Sequence, residues 1–409
     1  MKSCSFTDAR GAGPLTTTYL DYAATTPVDV RVLDAMQPYF ATHFGNANSL
    51  YKTGRDAYHI LEAARENIAT AVGAARPSEI VFTSGGTEAD NAAFVSTLRR
   101  IAPDGGHLVT TAYEHPAVLD MVKWLGKQGY DTSFVRPRPD GHIHADDLEA
   151  VMRDDTKIVS IMHSNNEIGT INDLKSLAPI ARAHGALFHT DAVQSLGKVP
   201  LNVQDLDVDM ASFSAHKVYG PKGVGALYLR RGISFDAMLK GGGQEGKKRS
   251  GTQNVAGAVG FAKAVEICLA NMDSEAVRLS ALRDHLTSRI INSLENTQAT
   301  VLSDLRLPNI APLLINGVEG ESMLLQLDNQ GFEVSTGSAC SSGSLAASHV
   351  LLSIGVPQEI AHGSLRVSLG RFTQAEDVDR FVDALIPIVE RLRAMSPVYE
   401  RYFGKKGNG

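Results

Sequence analysis

Cysteine is scarce in this chain. Cys4, Cys268 and Cys340 are the only three in 409 residues. That is too few for a disulfide framework and fits a reducing, cytoplasmic setting. Neither sign of charge dominates. A formal net charge of −6 is mild and argues against nucleic acid as the main ligand. Long apolar runs are missing too: none reaches membrane-spanning length, so no membrane partner is expected. The first eighteen residues lack the apolar centre of a secretory signal, and Asp8 stands where an import peptide avoids acid. There is no internal repeat and no low-complexity segment. What is present is an ordinary globular composition, 43% hydrophobic and 21% charged, on a chain long enough for two cores.

The middle of the chain alternates strand-like and helix-like segments. Strand patterns fall at 79–83, 107–112, 131–135, 157–162, 186–190, 208–213 and 224–229. Helical patterns such as 88–98 and 174–184 lie between them. This predicts an α/β fold with a mostly parallel sheet and helices on both faces. Beyond about 256 the pattern changes to a long helical stretch, 255–270 and on through 275–294, then short strands near 312–316 and 332–335 and a closing helix over 374–395. The expected organisation is a large domain over 26–270. A smaller α+β domain takes 1–25 and 271–409, with the N-terminal strand region packed on it.

Ser212-Phe213-Ser214-Ala215-His216-Lys217 is the most telling stretch. Taken alone, a His-Lys pair reads as a solvated turn. Here it follows an apolar run and precedes Gly220-Pro221-Lys222-Gly223, which suits a lysine stopped at one fixed point. Such a lysine can hold pyridoxal phosphate as a Schiff base. Three companions support this. Asp191, in His189-Thr190-Asp191-Ala192-Val193-Gln194, closes a strand and is a candidate partner for a protonated ring nitrogen, or else a simple capping residue. Gly85-Gly86-Thr87 joins a β-branched strand to a helix, a suitable phosphate cradle. His115, in Glu114-His115-Pro116, stands at another strand-to-helix turn, where it can lie flat on a planar cofactor or serve as a structural histidine.

With these motifs assembled, the chain resembles the cysteine desulfurases of the NifS/IscS-like kind, in the class V group of pyridoxal-phosphate-dependent aminotransferases. The matching segments include Tyr19-Leu20-Asp21-Tyr22-Ala23-Ala24-Thr25-Thr26-Pro27, Asn165-Asn166-Glu167-Ile168-Gly169, Gly241-Gly242-Gly243-Gln244-Glu245, Ser338-Ala339-Cys340-Ser341-Ser342-Gly343-Ser344 and Arg366-Val367-Ser368-Leu369-Gly370-Arg371. They run in one order across roughly 19–398. The resemblance implies the type I fold of aspartate aminotransferase, with a seven-stranded, mostly parallel sheet in the large domain.

It also implies roles. Lys217 attaches the cofactor and moves the substrate's α-proton. Asp191 pairs with the ring nitrogen, Gln194 and Asn166 lie near the ring oxygen, and His115 stacks on the ring. Gly86, Thr87, Ser214 and His216 hold the phosphate, joined by Thr252 from a second subunit, so a homodimer with shared sites is expected. Arg366, with Asn166, grips the substrate carboxylate. Cys340, in a Gly/Ser-rich stretch over about 330–346, takes sulfur from L-cysteine as a persulfide and leaves L-alanine. The sulfur then passes to a protein acceptor, such as an iron–sulfur scaffold, or to thio-cofactor or tRNA thiolation. No resident metal is expected, although Cys340 has the chemistry of a transient iron–sulfur ligand. The family pattern is altered at Ala47, at Gly246-Lys247-Lys248-Arg249 and at Thr336. The end of the chain at 396–402 is shorter than the tail with which housekeeping members dock their scaffold, which leaves the acceptor open. Selenocysteine cleavage, class V transamination and a non-catalytic sulfur-assembly scaffold are the competing readings. Cys340 favours desulfuration over the second, and the complete set of site residues disfavours the third.

Overall fold

The computed structural model describes residues 17–337, 347–396 and 399. The Cys340 segment therefore lies outside the described residues, as does Cys4. Among the described residues, the largest sheet has seven strands, and all seven predicted strand segments form it. In spatial order they are Ile80–Thr83, Gly225–Leu229, Met210–Ser214, Leu187–Asp191, Thr156–Ser160, His107–Thr111 and Asp131–Val135. Only Gly225–Leu229 runs against the rest, pairing antiparallel with both neighbours. The inner strands are buried along nearly their whole length, only Lys157 and Leu187 being partly exposed, as a sheet covered on both faces requires.

The connecting helices cover those faces. Gly86–Ile101 starts at its Gly-Gly turn because a Cβ on Gly86 would lie 2.9 Å from Val193 Cγ2, so only glycine lets the helix start approach so closely. Pro116 opens Pro116–Lys127 at its first turn, where a missing N–H is no loss.

A second core is separate. Ile310–Ile315 pairs antiparallel with Ser364–Ser368 and Thr297–Ala299, and helix Ala375–Ala394 packs over them. The predicted N-terminal strand is Thr18–Tyr19, and it pairs with Phe332–Glu333. The strand at 364–368, which positions Arg366, was not expected from the sequence.

One helix links the two cores. The long helical stretch expected from Val255 through 275–294 is a single helix, Val255–Ser293, continuous over 39 residues. Its first part, including Phe261 and Val265, belongs to the large sheet's core; Leu286 and Ile290 belong to the second. The reading that no segment reaches membrane-spanning length needs correction here. By length and composition this helix is apolar enough to cross a bilayer, and 61% of its most apolar window is buried inside the fold. That apolarity serves as core surface.

Candidate active site

Six of the seven strands point the same way, and residues at or beyond the carboxyl ends of five of them, all but Asp131–Val135, line one cleft of about 460 Å³. Gly86, Thr87, His115, Asn166, Asp191, Gln194, Ser214, His216, Lys217 and Arg366 all line it. Thr252 does not. It lines a different recess, with Thr83, Glu245 and Arg249.

Each side chain is held by its local geometry. Asp191 ends its strand, and one carboxylate oxygen accepts from Val193 N at 2.9 Å. Burial pushes the Asp191 carboxyl above its ordinary range, and His115 and Lys217 pull it back only in part. His115 is the N-cap of its helix: Nδ1 accepts from Ala117 N at 3.1 Å, so the proton of the neutral ring sits on Nε2. Burial keeps this imidazole below its ordinary value. Lys217 follows Met210–Ser214 through a short 3-10 turn and donates to the carbonyls of Ala23 and Ala24 at 2.7 and 2.6 Å. Two residues later Tyr219 takes the left-handed φ of 64°, held by Thr26 Oγ1 at its N–H. A tyrosine rarely adopts that conformation, so the turn after Lys217 is fixed by its surroundings.

At one end of the cleft an anion cradle opens. Gly85, Gly86, Thr87, Ser214 and His216 line it, together with Thr25 and Lys222, which the sequence reading did not single out. The cradle offers the N-terminus of a 16-residue helix, several hydroxyls and an ammonium. Its one carboxylate, Glu88, is already bound to Arg249 at 2.9 Å. Burial, reinforced by the Lys217 charge, brings His216 down to about 4, so it acts as a neutral hydrogen-bonding group.

Arg366 is 4% exposed. Its guanidinium donates to Asp21 Oδ1 at 2.7 Å and to the Asn166 carbonyl at 3.0 Å, while its buried Nε has no partner. Asp21 was quoted only within a motif, and its link to Arg366 spans 345 positions. Asp90, 1% exposed, also lines the cleft and was missed; its Oδ1 has no hydrogen-bond partner and lies 3.7 Å from His189 Nε2. Glu167 was quoted but given no role. It accepts from Ser348 Oγ at 2.5 Å, on the chain just past the Cys340 segment.

The residues fit pyridoxal phosphate. A donor-rich anion cradle, a lysine, a buried acid and a buried neutral histidine share one cleft of suitable size. A carboxyl held above its ordinary range readily shares its proton with a ring nitrogen.

Comparisons with known proteins agree. A model of the family described as Aminotransferase class-V matches residues 18–381. Cysteine desulfurase IscS from Dictyoglomus turgidum is 46% identical over 384 residues, covering 94% of this chain and 97% of its own. A solved NifS-like protein superposes with a TM-score of 0.87 at 36% identity, covering 92% of this chain and 100% of its own. A structure described as SspA in complex with cysteine gives a TM-score of 0.76 at 33% identity, covering 88% and 100%.

Proposed function

Because the chain belongs to the class-V aminotransferase family, and within it to the cysteine desulfurases, we propose that its cleft binds pyridoxal phosphate and L-cysteine and that it releases L-alanine. The observation that carries this reading is the convergence of Lys217, Asp191, His115 and the anion cradle on one cleft.

When bound, the cofactor supplies an electron sink for bonds made and broken at the substrate's α-carbon. Lys217 would be its covalent attachment point and, as a free amine, would carry the substrate's α-proton. Asp191 holds the ring nitrogen, and neutral His115 covers the ring face with its proton on Nε2. Thr87, Ser214 and His216 hold the phosphate, joined by the N–H groups at Gly86 and Thr87. Arg366 receives the substrate carboxylate together with Asn166; its anchors on Asp21 and the Asn166 carbonyl fix the guanidinium plane before substrate arrives.

The Cys340 thiolate attacks the sulfur of the bound cysteine. A sulfur–sulfur bond forms and the bond from substrate carbon to sulfur breaks. The electron pair stays on that carbon, which takes up a proton and leaves as alanine. Cys340 keeps the sulfur as a persulfide for a protein acceptor of the iron–sulfur or thiolation type. A free nucleophilic thiol calls for a reducing compartment such as the cytoplasm.

We also assign a homodimer. Two features support it. Val30, Leu33, Phe40, Phe44, Leu50 and Tyr51 are large apolar side chains, 51% to 89% exposed and grouped within 22 residues of sequence. Thr252 lies outside its own chain's cleft, which fits a residue lent to the partner's site.

The test is direct. The purified protein given L-cysteine and a thiol reductant is expected to form alanine and sulfide in equal amounts. Cys340→Ala should stay yellow and lose turnover. Borohydride reduction should place the pyridoxyl label on Lys217. Full turnover in Cys340→Ala, or a label on another residue, overturns the assignment.

A further inference from the structure

Gln194 is a primary amide lining the cleft, and it is 5% exposed. An amide can present either its oxygen or its N–H₂ to a ligand, and which end faces in is decided by its neighbours. Two neighbours decide here. The Ala23 carbonyl, which can only accept, takes a hydrogen bond from Gln194 Nε2 at 2.9 Å. Lys198 Nζ donates to Gln194 Oε1 at 3.2 Å and to the Gln194 backbone carbonyl at 2.9 Å. Turning the amide over would set its oxygen against the Ala23 carbonyl and take the acceptor away from Lys198. Both neighbours therefore favour one orientation, with a second N–H left for the cleft.

Lys198 itself does not line the cleft. It borders a separate small cavity of about 40 Å³ behind it, whose wall it shares with Lys217, Tyr219 and Cys268. It therefore reaches the cleft only through another residue. We infer that Lys198 is a positioning residue that locks Gln194 as a hydrogen-bond donor toward the oxygen of the bound cofactor ring. This inference rests on the reading that the cleft holds pyridoxal phosphate. It assigns a task to a lysine that takes no part in the chemistry itself.

The consequence is spectroscopic. An N–H facing the ring oxygen stabilises its anionic form and lowers its affinity for a proton. A hydrogen bond to a charged group is worth about 1.5–3 kcal/mol, which is about one pH unit or more. In the holoenzyme, Lys198→Met should therefore raise the pH midpoint of the cofactor's visible band by about one unit. Lys198→Arg, which keeps a donor, should restore most of the wild-type midpoint.

Removing a cation near Lys217 would shift the midpoint the same way, so a double-mutant cycle separates the causes. Gln194→Leu should raise the midpoint by itself, and adding Lys198→Met should then change little. Lys198→Gln, too short to reach the amide, repeats the test if Lys198→Met does not fold. An unshifted midpoint in Lys198→Met overturns the inference. So does a full shift from that substitution in the Gln194→Leu background, which would show the lysine acting by charge alone. Absence of any visible band in the wild-type protein would overturn the cofactor reading instead.

Discussion

Arg366 enters the cleft with its fork already partly committed. Asp21 and the Asn166 carbonyl each hold one terminal nitrogen, so the guanidinium does not need to be ordered when substrate arrives. A lysine at this position could keep the charge but could not serve two anchors and a bidentate carboxylate at once. Arg366→Lys is expected to raise KM for cysteine at least about tenfold, with a smaller effect on kcat, which steady-state kinetics would read. At this scale the sequence was legible where a residue that lines the cleft ends or follows an apolar strand. Lys217, Asp191 and His115 all stand at such junctions, where a polar residue has no packing reason to be. Asp21, Asp90 and Lys198 were not legible. Their partners and their places around the cleft come together only on folding, and an acid or lysine seen alone reads as solvated surface.

Among the elements, the loop that carries Thr252 is pinned at Glu245. This residue has a φ of 50°, and its buried carboxylate binds Arg65 at 2.6 and 3.0 Å and the Phe82 N–H at 2.9 Å. The loop is thereby tied to the edge strand Ile80–Thr83, beside the Gly-Gly turn. Glu245→Ala would take away Arg65's buried carboxylate, leaving it the more exposed Glu62 at 3.0 Å, and would strip the Phe82 N–H of its acceptor. A loss of about 3–5 kcal/mol is expected, measured as a lower denaturant midpoint at unchanged slope. The seven strands of the main sheet were readable because their apolar runs are continuous. Ser364–Ser368 was hidden because Ser364, Arg366 and Ser368 break its apolar pattern, although every residue of the strand is buried. Its polar side chains find partners only in the folded chain; the Ser368 hydroxyl, for example, accepts from Ala23 N at 2.9 Å. The long helix was legible as one stretch, although its buried positions lapse between Cys268 and Leu279, where the chain passes from one core to the other.

For the whole molecule, buried ionisable groups set the pH range of stability. Burial raises Glu167 to about 7 and Glu114 to about 8, from an ordinary 4.5. The folded chain then keeps protons that the unfolded chain gives up, so the stability from these acids is full below about pH 4.5 and is lost as pH rises through 7 to 8. His163 and His189 act in the opposite sense. Burial lowers them to about 4 and about 3, so their contribution is full above an ordinary 6.5 and is lost as pH falls. The two effects oppose each other below 6.5; above about 7 the acids are opposed instead by Lys198, which burial lowers to about 7 from an ordinary 10.5. From pH 6.5 to 8, Glu114 should withdraw about 2 kcal/mol of unfolding free energy. In Glu114→Gln, which mimics the protonated acid, that decline should be absent from urea melts across the same range. An equal slope in both proteins would refute the assignment.

The continuous helix Val255–Ser293 has a consequence for how the molecule comes apart. Loss of either core would strip one half of this rod of its apolar cover while its backbone hydrogen bonds still tied it to the other half. Each core therefore underwrites its neighbour, and the chain gives way as one cooperative body with no intermediate in which a single lobe survives alone.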